Sequence, residues 1–107
     1  MSDQKTLIFI QPYTDSMQKL RDICFEKKDQ ESFEIFEIDN NEEFSQALQS
    51  AGPSLTVFSS PKKCAMFLQE NKKHIFKMKS KVVLFSPKNI DRKIHEKFTK
   101  MGLTELV

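Results

Sequence analysis

Glycine stands at only two of the 107 positions, cysteine at two, tyrosine at one and tryptophan at none. Two glycines cannot build a glycine-rich phosphate loop, which argues against nucleotide binding by a P-loop or a dinucleotide-binding turn. Cys24 and Cys64 lie far apart with no CxxC or CxxH spacing, and the chain has only two histidines, so neither a zinc site nor a redox dithiol is encoded. The longest uninterrupted apolar run is five residues, Cys64 to Leu68. A membrane-crossing helix needs about 20, and the polar start MSDQK has no hydrophobic stretch behind it of the kind a signal peptide carries. A reduced, cytoplasmic setting is the expectation that fits these absences.

What the chain has in quantity is charge. Asp, Glu, Lys and Arg make up 30% of it and hydrophobic residues 38%, the balance of one globular domain. The net charge is +2, yet residues 1–53 carry 5 basic and 11 acidic side chains and residues 54–107 carry 12 and 4. Such asymmetry predicts either oppositely charged solvated faces or a surface for a partner.

Four short apolar runs read as strands: TLIFI at 6–10, FEIFEI at 33–38, LTVF at 55–58 and KVVLF at 81–85. Each precedes a helical spacing. The first helix is expected over 15–28, with Met17, Leu20 and Cys24 on one face and Asp15 with Gln18 as a capping-box start. The second has Asn40 as its cap, Phe44, Ala47, Leu48 and Ala51 on its apolar face, and Gly52-Pro53 as its stop. The third opens with Ser60 as N-cap and Pro61 at its first position, then buries Cys64, Phe67, Leu68, Ile75 and Met78, with Asn71 interrupting that face. Residues 74–79 are expected to be its frayed end or a loop. The fourth runs over 90–101, burying Ile90, Ile94, Phe98 and Met101, with Gly102 placed for a left-handed cap.

Strands one, three and four are nearly continuous in apolar residues, as parallel strands covered on both faces are, whereas Glu34 and Glu37 mark the second as an edge strand. A repeated βα unit with right-handed crossovers gives an α/β fold, a doubly wound parallel sheet. Chemistry in such sheets collects at the carboxyl ends of the strands. Here those ends read Gln11-Pro12-Tyr13, Asp39-Asn40, Ser59-Ser60-Pro61 and Ser86-Pro87-Lys88.

In this β-α order, and in the ending KFTKMGLTELV, the chain resembles a response-regulator receiver domain. The resemblance implies a flavodoxin-like three-layer sandwich with strand order 2-1-3-4-5 and the last helix missing. One pseudo-receiver domain would then span 1–107 as a fragment of a longer chain, or the uncovered face would be closed in a homodimer. It also places the family's acidic pair on Gln11 and Pro12, its phospho-accepting position on Ser59, its hydroxyl on Ser86 and its lysine beyond Val107. Only Ser86 keeps the family's residue type. Magnesium requires hard oxygen ligands, carboxylates above all, and an acyl phosphate requires a carboxylate nucleophile, which Gln11, Pro12 and Ser59 do not supply.

The expectation is therefore a degenerate receiver site with no catalytic residue, no metal and no cofactor: a non-catalytic protein-interaction or regulatory module of bacterial signal transduction. Its partner would be another protein or a fused effector domain. Receiver-like domains with this ending are similar to the N-terminal regions of certain PilZ-containing proteins that respond to cyclic di-GMP. The RxxxR and D/NxSxxG motifs that bind the messenger are absent here, so this segment would transmit or localise the signal. Lys88, Arg92, Lys93, Lys97 and Lys100 form the candidate interaction surface. The alternative is a lysine-rich face for nucleic acid or another anionic partner. Two arginines, one tyrosine and no tryptophan disfavour nucleic acid. A small α/β enzyme would need a nucleophile and base side by side, and the sequence presents no such pair.

Overall fold

The computed structural model describes residues 5–51, 53–85 and 91–106. Strands β1 (Lys5–Ile10), β2 (Phe33–Ile38), β3 (Leu55–Phe58) and β4 (Lys81–Leu84) form an all-parallel sheet in the order β2-β1-β3-β4. A two-residue stretch, β5 (Glu105–Leu106), pairs in parallel with Val83 and Leu84 at the β4 edge. Two residue pairs make a rung at the sheet's margin, and four strands carry the architecture.

The register explains the composition of the strands. Ile8, Thr56 and Val82 form one row across the sheet, and Phe9, Val57 and Val83 form a row on the opposite face. The first face meets helices α3 (Asn41–Ala51), α4 (Pro61–Lys77) and α5 (Arg92–Lys100) in a core that joins Ile8, Ile10, Phe44, Leu48, Phe58, Leu68 and Val82. Phe44 stacks on Phe67 at 5.6 Å, and Phe58 meets both edge-on. The second face is covered by α1 (Asp15–Glu26), whose Met17 is fully buried against Leu7, Phe9 and Val57. Leu55, Ile35 and Phe85 are only half-buried there. Ile8 and Ile10 are buried under the three-helix face, and Val57 is buried on the other face against Met17.

Local chemistry sets the helix ends. The cap of α1 is Thr14, whose hydroxyl accepts from the Met17 amide at 3.3 Å. Asp15 is the first helical residue and the Gln18 side chain donates to Asp22, so no capping box forms between them. With Thr14 as the cap, the Gln18 amide that such a box would serve already donates to the Thr14 carbonyl at 2.8 Å. Asn40 accepts from the Glu43 amide at 2.8 Å, Ser60 from the Lys63 amide at 3.3 Å, and Pro61 opens α4 as expected. The stretch over residues 74–77 is helical, since Ile75, 1% exposed, anchors it to the core. A further short helix, α2 (Lys28–Glu31), follows α1 and ends on Ser32 in the left-handed region.

The ends of α4 and α5 share one geometry. Past α5, Gly102 at φ +117° donates to the Thr99 carbonyl and Leu103 to that of Phe98, a Schellman motif whose Leu103 and Phe98 both enter the core. Past α4, Lys79 at φ +55° donates to Phe76 and Ser80 to Ile75 in the same pattern, with a lysine where glycine is favoured. Ile94 departs from expectation. It is 47% exposed, and Phe98 alone of the α5 residues is buried. Asp91 caps this helix through the Lys93 amide, and Ile90 lies outside the described residues.

Candidate functional site

The carboxyl ends of β1 and β3 bring Gln11, Pro12 and Ser59 together, as their placement on the fold requires. The Gln11 amide donates to the Ile38 carbonyl at 2.9 Å, extending the β1–β2 ladder one residue past the strands. Ser59, nearly buried, donates its hydroxyl to the Pro12 carbonyl and so ties the end of β3 to the turn after β1. This uses the hydroxyl hydrogen structurally. Ser86 and Lys88 lie outside the described residues.

The side chain at the centre of this edge is one the sequence did not single out. Lys63, in the first turn of α4, reaches back over the strand ends, and its ammonium donates to the Gln11 carbonyl at 2.7 Å and to the Asp39 carbonyl at 2.8 Å. It also lies 5.8 Å from the centroid of the Phe67 ring. One local signal pointed to it: the first turn of α4 contains no acid and two lysines. The helix dipole disfavours cations at that end, so a lysine there calls for another reason.

A second polar group pins α1 to the edge strand. Glu37 accepts from the Tyr13 hydroxyl at 3.0 Å and from both Nε and Nη2 of Arg21, the latter at 3.2 Å. The Arg21 hydrogen bonds hold the Glu37 carboxyl below its ordinary range against a smaller opposing effect of burial, and Tyr13 adds to the lowering. Burial, then the Glu37 contact, pushes the Tyr13 phenol up. Arg21 also lies over the Phe25 ring, 4.4 Å from its centroid.

The remaining candidates are structural. Cys64 is fully buried, and burial pushes its thiol up to about 12, the opposite of what a nucleophile needs. Asn71, the polar interruption of the α4 face, donates to Asn41 Oδ1 at 2.6 Å and to the Phe67 carbonyl at 2.8 Å, fastening α4 to the start of α3. A depression between α3 and α4, lined by Asn41, Met66, Phe67, Gln69 and Glu70, gathers no pair of reactive groups. Among the described residues no three His, Cys, Asp or Glu side chains group to hold a metal ion, and no helix is long and apolar enough to cross a membrane. Arg92, Lys93, Lys97 and Lys100 are all exposed along α5.

A divalent cation of the kind the receiver fold would use does not fit this edge. Gln11, Pro12 and Ser59 bring no carboxylate to it, and the space between the two strand-end carbonyls holds an ammonium of the same sign as the metal.

No protein-family model and no curated protein matches the sequence. Among solved structures the fold is similar to that of a 3-dehydroquinate dehydratase-like protein from Bifidobacterium longum, at 14% identity and a TM-score of 0.52, over 98% of this chain and 83% of that one. At that identity the likeness bears on the fold alone.

Proposed function

We propose that this chain is a non-catalytic, receiver-like module that acts through protein contacts in bacterial signal transduction. The observation that carries the reading is the composition of the carboxyl edge: a receiver-type strand order ends in Gln11, Pro12 and Ser59, with the Ser59 hydroxyl on the Pro12 carbonyl and the Lys63 ammonium on the Gln11 carbonyl. The reading takes Glu105–Leu106 as the start of a fifth strand in the order 2-1-3-4-5, supported by its pairing with β4. The partner is a protein, whether a separate chain, a second copy or a fused effector such as a PilZ domain. Arg92, Lys93, Lys97 and Lys100 present the contact surface. Incubation with acetyl phosphate and magnesium, followed by intact mass measurement, tests the reading. The expected mass is unchanged; a stoichiometric, hydroxylamine-labile adduct would overturn it.

A second reading, binding of nucleic acid or another polyanion, is favoured by the exposure of the lysines on α4 and α5. Lysines attract phosphates whatever the sequence, so retention of DNA would fall steeply with salt and show no sequence preference.

A further inference from the structure

The crevice in which open parallel sheets receive their ligands lies outside the carboxyl ends of the strands, where the order reverses around β1. In this protein the crevice contains a cation that is part of the chain. The ladder between β1 and β2 ends with the Gln11 amide on the Ile38 carbonyl, leaving the next carbonyls of both strands, Gln11 and Asp39, without partners from the sheet. Both accept from the Lys63 ammonium, at 2.7 and 2.8 Å. The backbone of Asp39 makes this contact, while its carboxylate accepts from Asn40. Ser59 completes the closure from the β3 side through the Pro12 carbonyl. The ends of three strands and the start of α4 are thus joined around one positive charge.

We propose that Lys63 is a built-in cation that latches the strand ends and takes the place of a dissociable metal at this edge. An ammonium offers three donors and no acceptor, so it can bridge two carbonyls and still meet water. Tethered to the first turn of α4, it does not depend on the concentration of any free ion and cannot be removed by a chelator. Its regulatory meaning rests on the non-catalytic reading above: a module whose strand-end cation is its own side chain has no metal-dependent state to enter or leave.

The test compares thermal unfolding of the full chain with its Lys63→Ala and Lys63→Met variants. The latch predicts that both melt lower, by about 4–8 °C if the net contribution of roughly one ordinary, solvent-exposed hydrogen bond is lost. Ethylammonium chloride should then raise the midpoint of Lys63→Ala, which has room for it, more than sodium chloride of equal ionic strength does. It should give no such advantage to the wild type or to Lys63→Met. Melting of Lys63→Ala at the wild-type temperature would overturn the latch. Should the variants fail to fold, manganese titration of the wild type decides. Amide resonances of Gln11, Asp39 and Ser59 that stay sharp support the proposal, and selective, saturable broadening of them overturns it. A phosphoryl adduct in the acetyl phosphate experiment would remove the functional reading, whereas an unchanged Lys63→Ala melt removes the latch alone.

Discussion

Gly102 and Lys79 occupy the same position in two Schellman motifs, at φ +117° and +55°. Glycine takes positive φ without steric cost, whereas a residue with a Cβ pays about 1–2 kcal/mol there. Gly102 is doubly suited, because a Cβ on it would stand 3.2 Å from Cγ2 of the buried Ile75. Lys79 is exposed, so its side chain offers little packing to offset the strain. Lys79→Gly should therefore raise stability by about 1 kcal/mol, the relief of left-handed strain less the added freedom of the unfolded chain. Urea denaturation measures it, with Lys79→Ala as the control that keeps the Cβ and gains nothing. A midpoint that does not move for the glycine variant would show that the lysine backbone is unstrained.

At the scale of elements, α1 is held to the edge strand β2 by Arg21, Tyr13 and the Glu37 carboxylate. Because Arg21 lowers the folded-state pKa of Glu37, this group contributes stability that is fully present above its unfolded value of about 4.3 and is lost as pH falls through the lower folded value. Acid unfolding followed by circular dichroism should show a steeper loss below about pH 4.3 in the wild type than in Glu37→Gln, the curves staying parallel at neutral pH. Parallel curves down to pH 3 would mean that solvent screens the pair completely. Much of this level was legible in the sequence. The apolar runs put β1 to β4 within one residue of their places, and Asn40, Ser60 and Gly102 announced their caps. The short helix α2 was not legible, because KKDQES has no apolar period to reveal it. Ile94 matched the helical spacing of Phe98, yet spacing gives a face and not the reach of the sheet beneath it. Lys63 escaped for a different reason. Its partners lie 52 and 24 residues away in sequence, and they are backbone carbonyls, which no side-chain pattern marks.

Across the whole molecule, the order β2-β1-β3-β4 turns the uneven charge of the sequence into opposed edges. Glu31, Glu34, Glu37, Asp39, Glu42 and Glu43 belong to α2, β2, the turn after it and the start of α3, at one side of the sheet. Lys81 lies on β4 at the other side, and Lys93, Lys97 and Lys100 on the helix that follows it. Among the described residues the only ion pair of α5 is Arg92 with Glu96, at 3.7 Å and well exposed, so the three lysines are not engaged in holding the fold. Reversing all three to Glu should cost about 1 kcal/mol, mainly from unfavourable charge at the C-terminal end of the helix, and abolish retention on a heparin column. The comparison that isolates geometry is a variant with Lys19, Lys27 and Lys28 reversed instead, which has the same net charge but alters α1, the residue joining it to α2, and α2. If the basic edge is what a polyanion meets, this second variant remains bound to a substantially higher salt concentration than the first, because screened attraction depends on where charges lie within about 10 Å of the ligand. Identical elution of the two would mean that total charge alone governs binding, and the opposed edges would then have no bearing on which partner the module selects.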